Sequence, residues 1–428
     1  MKGTAIKDLK ARAIIDCKGK PLLEVDVYTE DGVMGRGASP SGISAGEHEA
    51  FVLRDGDKSW YDGNGVYKAV EMAEKVVFPA IKGMDVLDQK AIDEAMIELD
   101  GTPNKSKLGG NTTYSTSMAV MRAACNILHV PQYKYLAEGE IKTIPLPTSD
   151  MFAGGSYEEN TMPVQECTII PYKVSSIAEA TAILCKVYKL LPDVIKEFQG
   201  GRRPEIGAMS EYMAPSTEFM DCLDILWETC KRAGCEDKIG FHMDCAFSEI
   251  YNADRKTYNY CGREIDTDEV IGILKEATEK YNFLYLEDPL DENDWEGWAK
   301  AAKILTRTTL CGDDLTVTNI DKLKKAVEMG ACGSFIFKPN QVGTVTEAMA
   351  AQKYAIEHGM FSVPSIRAGG VSDDPVADMG TAGGAAAVKL GPPKFGHAIH
   401  IVNSLLRAET EIEGAKPFDF TPFIKWDK

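Results

Sequence analysis

Between residues 283 and 338 the chain reads Phe283-Leu284-Tyr285-Leu286-Glu287, then Thr309-Leu310-Cys311-Gly312-Asp313, then Ser334-Phe335-Ile336-Phe337-Lys338. Each run is short and apolar, and each is closed by a charge. Stretches of helical periodicity, 295–306 and 320–330, lie between them. Buried strands alternating with amphipathic helices predict βαβ units and a parallel sheet. The same pattern extends outward to Gly240-Phe241-His242-Met243-Asp244 on one side and Ala386-Ala387-Val388-Lys389 on the other, with further helical periods at 268–282 and 346–359. The closing charges follow one another at 43, 26, 25 and 51 residues. About 25 residues suit one β/α unit, so the longer gaps leave room for an insertion or a further unit. In a parallel barrel all strand C-termini open on one face, and that face carries the chemistry.

Three of these charges are the carboxylates Asp244, Glu287 and Asp313. Converging carboxylates repel one another unless a cation lies among them, and oxygen-only donors favour a hard ion such as Mg²⁺. Any one acid could simply cap the following helix; three on three apolar strands argue for a metal. Lys338 and Lys389 close two more strands, and a lysine beside a metal and another cation has a lowered pKa and can serve as a base. Arg367, in the turn Pro364-Ser365-Ile366-Arg367-Ala368-Gly369-Gly370, is placed to hold a phosphate or carboxylate.

Toward the N-terminus the period changes. Residues 1–60 alternate as strands do: Leu22-Leu23-Glu24-Val25-Asp26-Val27-Tyr28 runs into the turn signal Glu30-Asp31-Gly32. Helical periods follow at 66–77, 91–99 and 113–128. Strands and then helices predict an α+β unit ending near Pro131. The expected fold is therefore α/β, with domains at 1–133 and 134–428.

Composition narrows the function. Of 428 residues, 44% are hydrophobic and 26% charged, enough for a large core without disulfides. A formal net charge of −18 argues against nucleic acid and anionic membranes as partners, though a small anion remains compatible with a locally cationic pocket. The eleven cysteines are scattered with no CxxC pair, which excludes zinc-ribbon and thioredoxin-like readings and suits a reducing compartment. The opening MKGTAIKDLKARAIIDCKGK is too charged for a signal peptide, and no run approaches a membrane span, so a cytoplasmic protein is expected.

Several segments resemble the enolase family: Ala11-Arg12-Ala13-Ile14-Ile15-Asp16, Pro40-Ser41-Gly42-Ile43-Ser44-Ala45-Gly46, Leu53-Arg54-Asp55-Gly56-Asp57, Leu99-Asp100-Gly101-Thr102-Pro103-Asn104-Lys105, Val164-Gln165-Glu166, Met243-Asp244-Cys245-Ala246, Leu286-Glu287-Asp288-Pro289-Leu290, Gly312-Asp313-Asp314-Leu315-Thr316-Val317-Thr318-Asn319 and Lys338-Pro339-Asn340-Gln341-Val342-Gly343-Thr344. They occur in order over nearly the whole chain. The resemblance implies an enolase-type (β/α)8 barrel with an N-terminal α+β capping domain. It implies a Mg²⁺-dependent lyase that dehydrates 2-phospho-D-glycerate to phosphoenolpyruvate through a metal-stabilised ene-diolate.

Carried over position by position, the resemblance makes Asp244, Glu287 and Asp313 the ligands of one Mg²⁺ and gives Ser44 a part in holding a second. It makes Lys338 the base and Lys389 the holder of the substrate carboxylate. Arg367 would hold the phosphate, and Glu166, with Gln165 beside it, would stand on the leaving-group side. A homodimer or higher homo-oligomer is likewise implied.

The departures from the family pattern lie on the leaving-group and phosphate side. Tyr157 follows Gly154-Gly155-Ser156 where the family has histidine. Ser365-Ile366-Arg367-Ala368 replaces Ser-His-Arg-Ser, and Gly391-Pro392-Pro393-Lys394-Phe395-Gly396-His397 replaces an arginine-bearing stretch. In Gly207-Ala208-Met209-Ser210-Glu211-Tyr212-Met213-Ala214-Pro215 the proton-donor position falls on Ser210, and Glu211 becomes the acid if the loop shifts by one residue. Two further readings stay open: an enolase paralogue taking a related phosphorylated or phosphonate-bearing carboxylate, as carboxyphosphonoenolpyruvate synthase does, and a non-catalytic binding protein.

Overall fold

A computed structural model describes residues 2–42, 46–155, 162–394 and 396–426. Three antiparallel strands, Ile6–Ile15, Pro21–Thr29 and Met34–Ala38, begin the chain. The helix Gly110–Leu128 lies on this sheet so closely that a Cβ at Gly35 would fall on the Ala119 carbonyl and the Ala123 amide. The helical period at 66–77 forms Tyr67–Met72, a π-type turn over Ala73–Val77, and Phe78–Ile81; that at 91–99 forms Gln89–Asp100. Val25, Val27, Val66, Ile81, Ile92, Met96 and Val120 share one apolar core between sheet and helices. The short helix Gln132–Leu136 leads on toward the barrel.

Around the barrel the hydrogen-bonded order is Phe361–Pro364, Ser334–Phe337, Thr309–Gly312, Phe283–Glu287, Ile239–Asp244, Glu166–Pro171, Ser149–Ala153 and Tyr212–Met213. The ring closes through Ala387–Val388, which pairs parallel with Leu146–Pro147 and is joined to Phe361–Pro364 by a Ser365–Lys389 bridge. Every residue of the Phe283–Glu287 strand is buried, as its continuous apolar run requires. Helices between strands start where a side chain caps them: Asp266 for Thr267–Lys280, Asp294 for Trp295–Ile304, Asn319 for Ile320–Met329 and Thr344 for Val345–Glu357. The 43-residue gap holds a small three-stranded sheet over 251–265, and the 51-residue gap holds the Phe361–Pro364 unit.

The expectation of an all-parallel sheet fails at one strand. Glu166–Pro171 runs antiparallel to both Ser149–Ala153 and Ile239–Asp244. The pairing continues beyond the strand ends, with Gly154 N donating to Gln165 O and Gly155 N to Met162 O, so the chain doubles straight back. The reversal matters for the site: Glu166, the first residue of its strand, is in register with Asp244, the last residue of its neighbour.

Candidate active site

The strand-end charges converge on one mouth. Glu287 is in register with Asp244 on one side and Cys311 on the other, two residues short of Asp313. Asp313 is fixed by its neighbour Asp288, whose carboxylate accepts the Asp313 and Asp314 amides at 2.8 Å each. Asp150, Gln165, Glu166, Asp244, Asp313, Lys338, Ser365, Arg367, Ala368 and Lys389 line one pocket. Of the remaining expected residues, Glu287 is fully buried beneath this pocket and Glu211 stands beside Asp150 and Glu166. Ser44 and Tyr157 fall outside the described residues.

Lysine ammonium groups lie among the expected metal ligands. Lys389 Nζ is 2.5 Å from Asp244 Oδ2, 2.8 Å from Glu287 Oε2 and 2.9 Å from Glu166 Oε2. Burial works against a charge on Lys389, but Asp244, Glu166 and Glu287 outweigh it and raise its pKa well above the usual value. Lys338 is paired with Asp313. Burial is the largest influence and works against its charge, but Asp313 and Glu287 together more than offset it, and the pKa is raised as well. The sequence-based expectation of a lowered lysine pKa is not met by these contacts: the carboxylate neighbours raise both lysines.

The carboxylates feel the same burial. It lifts Asp244 to about 6, with the neighbouring Glu287 charge adding to the rise. His242 Nε2 lies 2.8 Å from Glu287 Oε2, and burial holds that imidazole neutral, near 3. Glu287 Oε1 is buried with no hydrogen-bond partner among the described residues. An oxygen-only donor set with an unsatisfied carboxylate oxygen suits a hard divalent cation.

A second group adjoins the first through Glu166. Asp150, Glu166 and Glu211 bring carboxylate oxygens within 4.8 Å of one another, all three buried. Burial first, and then the Glu166 charge, lift Glu211 to about 8, so it carries a proton at neutral pH. Its backbone is held by the short Tyr212–Met213 strand, which pairs with Phe152 and Ala153. Ser210, by contrast, has a left-handed backbone at φ 75° and uses its carbonyl to accept the Tyr188 hydroxyl at 2.6 Å. The geometry brings Glu211 to the cluster.

Three residues of the site were not assigned from sequence. Asp150 accepts the Thr168 hydroxyl at 2.6 Å; its only signal is an acid inside the buried strand Ser149–Ala153. Gln341 donates to Asp313 Oδ1 at 3.0 Å, and it stands unassigned inside the segment that begins at Lys338. Glu49 pairs with Arg367 from the N-terminal part of the chain, a partnership across more than 300 residues that no local pattern carries.

Comparisons with known proteins agree with this arrangement. Residues 6–136 match the family model described as the enolase N-terminal domain, and residues 141–425 match the enolase C-terminal TIM barrel domain. The chain is 38% identical over 416 residues to a protein named enolase from Methanopyrus kandleri, covering 96% of this chain and 97% of that one. It is 39% identical to the enolase of Methanococcus aeolicus over 407 residues, covering 95% of each. It is also 39% identical to that of Pyrococcus furiosus over 418 residues, covering 97% of each. With two family domains matched along nearly its whole length, the chain belongs to the enolase family of carbon–oxygen lyases.

Proposed function

We propose that the chain dehydrates 2-phospho-D-glycerate to phosphoenolpyruvate, with Lys338 as base and Glu211 as acid. The observation that carries this reading is the protonation split. Two lysines lie among ionisable strand-end carboxylates, and beyond Glu166 lies a buried carboxyl that keeps its proton to about 8. Asp244, Glu287 and Asp313 would hold a Mg²⁺ ion, with Ser44 contributing to a second. When bound, Mg²⁺ supplies positive charge against the substrate carboxylate and competes with Lys338 for Asp313.

In its neutral form, the minority form while Asp313 is its partner, Lys338 accepts the proton from the carbon beside the carboxylate. Lys389 and Arg367 fix the substrate's two anionic ends, with Gln165 and Ser365 on the pocket wall. Glu211 passes its proton to the departing hydroxyl, which leaves as water, and Glu166 lies between Glu211 and Lys389 to carry charge on that side. A second reading keeps the proton abstraction and changes what decorates the substrate: Ile366 and Ala368 put apolar surface beside Arg367. Assembly as a homodimer or higher homo-oligomer is supported by the exposed Ile15, Trp60, Tyr61 and Tyr67, and a cytoplasmic setting by eleven free thiols.

The test is turnover of 2-phosphoglycerate with Mg²⁺, followed by the absorbance of phosphoenolpyruvate. Turnover on the order of 1–10³ s⁻¹ is expected, abolished in Lys338→Ala protein that remains folded. Failure of well-folded wild-type protein to turn over this substrate would move the assignment to the second reading.

A further inference from the structure

Arg367 meets the pocket already paired. Its Nη1 donates to Glu49 Oε2 at 3.0 Å and its Nη2 to Glu49 Oε1 at 3.1 Å, a two-pronged carboxylate–guanidinium contact. Both side chains are buried, with 5% and 6% of their surface exposed. Asn340 Oδ1 accepts from the same Nη1 at 3.4 Å.

Glu49 belongs to the N-terminal part of the chain, and its carboxylate ties that segment to the barrel rim. Gln341 Nε2 donates to Glu49 Oε1 at 3.3 Å, and the Ala50 amide donates to the Gln341 carbonyl at 2.7 Å. The same Gln341 nitrogen donates to Asp313 Oδ1 at 3.0 Å, and its Oε1 accepts from Thr318 at 3.1 Å. Arg367, Glu49, Gln341 and Asp313 thus form one buried chain from the phosphate side of the pocket to the carboxylate side.

A charge of −1 at hydrogen-bond distance offsets most of the field that Arg367 presents to an incoming anion. Because Glu49 is tethered to the same protein, it acts at a high and constant local concentration. We propose that Glu49 is a positioning residue that serves as the internal counter-anion of Arg367. It holds the guanidinium in place and lowers the site's affinity for the substrate's anionic group, so that substrate enters and product leaves. This rests on the reading of Arg367 as the residue that holds that group. Uniformly tight binding of substrate and transition state does not raise turnover, so a tempered anion site is of use to an enzyme that must release a phosphorylated product.

The probe is inorganic phosphate, titrated calorimetrically into the full-length protein with Mg²⁺ present. In Glu49→Gln, phosphate is expected to bind at least about 10-fold more tightly, and KM and kcat for 2-phosphoglycerate are expected to fall together. Unchanged or weaker phosphate binding in folded Glu49→Gln overturns the proposal. Glu49→Asp keeps the charge, covers the case in which the glutamine variant fails to fold, and should bind phosphate within about threefold of wild type. A tightening of about 10-fold there would overturn the proposal, since it would make side-chain shape and not charge the determinant. Arg367→Gln separates the two readings. It should weaken phosphate binding at least about 10-fold; if it does not, Arg367 is not the anion holder and the proposal falls with that assignment. If it does weaken binding while Glu49→Gln leaves binding unchanged, only the counter-anion role is lost.

Discussion

Glu211 keeps its proton because burial and the Glu166 charge outweigh the backbone hydrogen bonds at Glu211 and Met209 and the Lys18 charge, which favour ionisation. Its Oε1 has no hydrogen-bond partner among the described residues, and Asp150 and Glu166 stand within the same 4.8 Å cluster. A carboxyl raised to about 8 is ready to donate a proton at neutral pH, and the state that can donate disappears as pH rises through that value. Turnover should therefore show an alkaline limb near pH 8. In Glu211→Gln, kcat should fall at least about 10²-fold and the limb should vanish from the residual rate; a limb that persists would assign the acid to another group. Stability supplies a check of opposite sign. The folded pKa lies above the unfolded one, so the wild type progressively loses stability between about pH 4.5 and 8 and recovers none of it above. The glutamine variant should melt higher than wild type, most clearly at pH 8 and above.

Elements carry the site to the residues, and they explain what a linear reading reaches. Strand-end charges were legible because short continuous apolar runs closed by a charge are local signals: Asp244, Glu287, Asp313, Lys338 and Lys389 all fall at or next to strand ends on one mouth. The reversed direction of Glu166–Pro171 was not legible, because strand polarity depends on which neighbour the strand finds. For the same reason no pattern in 207–215 shows which residue stands beside Asp150 and Glu166; Glu211 does so next to the Tyr212–Phe152 pairing. Glu49 and Gln341 are seen only once the N-terminal sheet and its helix are seated against the barrel. Within that N-terminal unit, Gly110–Leu128 packs closely on Met34–Ala38. A methyl group at Gly35 meets backbone, not a movable side chain. Gly35→Ala should therefore cost about 3 kcal/mol, at the upper end of ordinary overpacking, read as a shift in denaturant midpoint. A loss below about 0.5 kcal/mol would mean that helix and sheet can part without penalty.

The whole molecule carries a net charge of −18 and collects buried acids at one end of its barrel. The folded protein holds the Asp244 proton to about 6, above the ordinary carboxylate range, so this group costs stability progressively as pH rises from about 4 to 6. Lys338 and Lys389 offset part of the repulsion through their ion pairs. A divalent cation bound to the same carboxylates would add stability by mass action, about 2.7 kcal/mol at a hundredfold excess over its dissociation constant. For a chain of this length that corresponds to a rise in Tm of about 3 °C. Protein stripped with EDTA should show this rise on addition of Mg²⁺. The rise should be larger at pH 7.5 than at pH 5, because protons compete for the same oxygens at the lower pH. Glu287→Gln removes a central donor and should reduce the rise to less than about 1 °C. A rise of wild-type size in that variant would place the stabilising cation elsewhere. Asp288, Asp313 and Asp314, whose oxygens also lie within 4.8 Å of one another, would then be the next group to substitute.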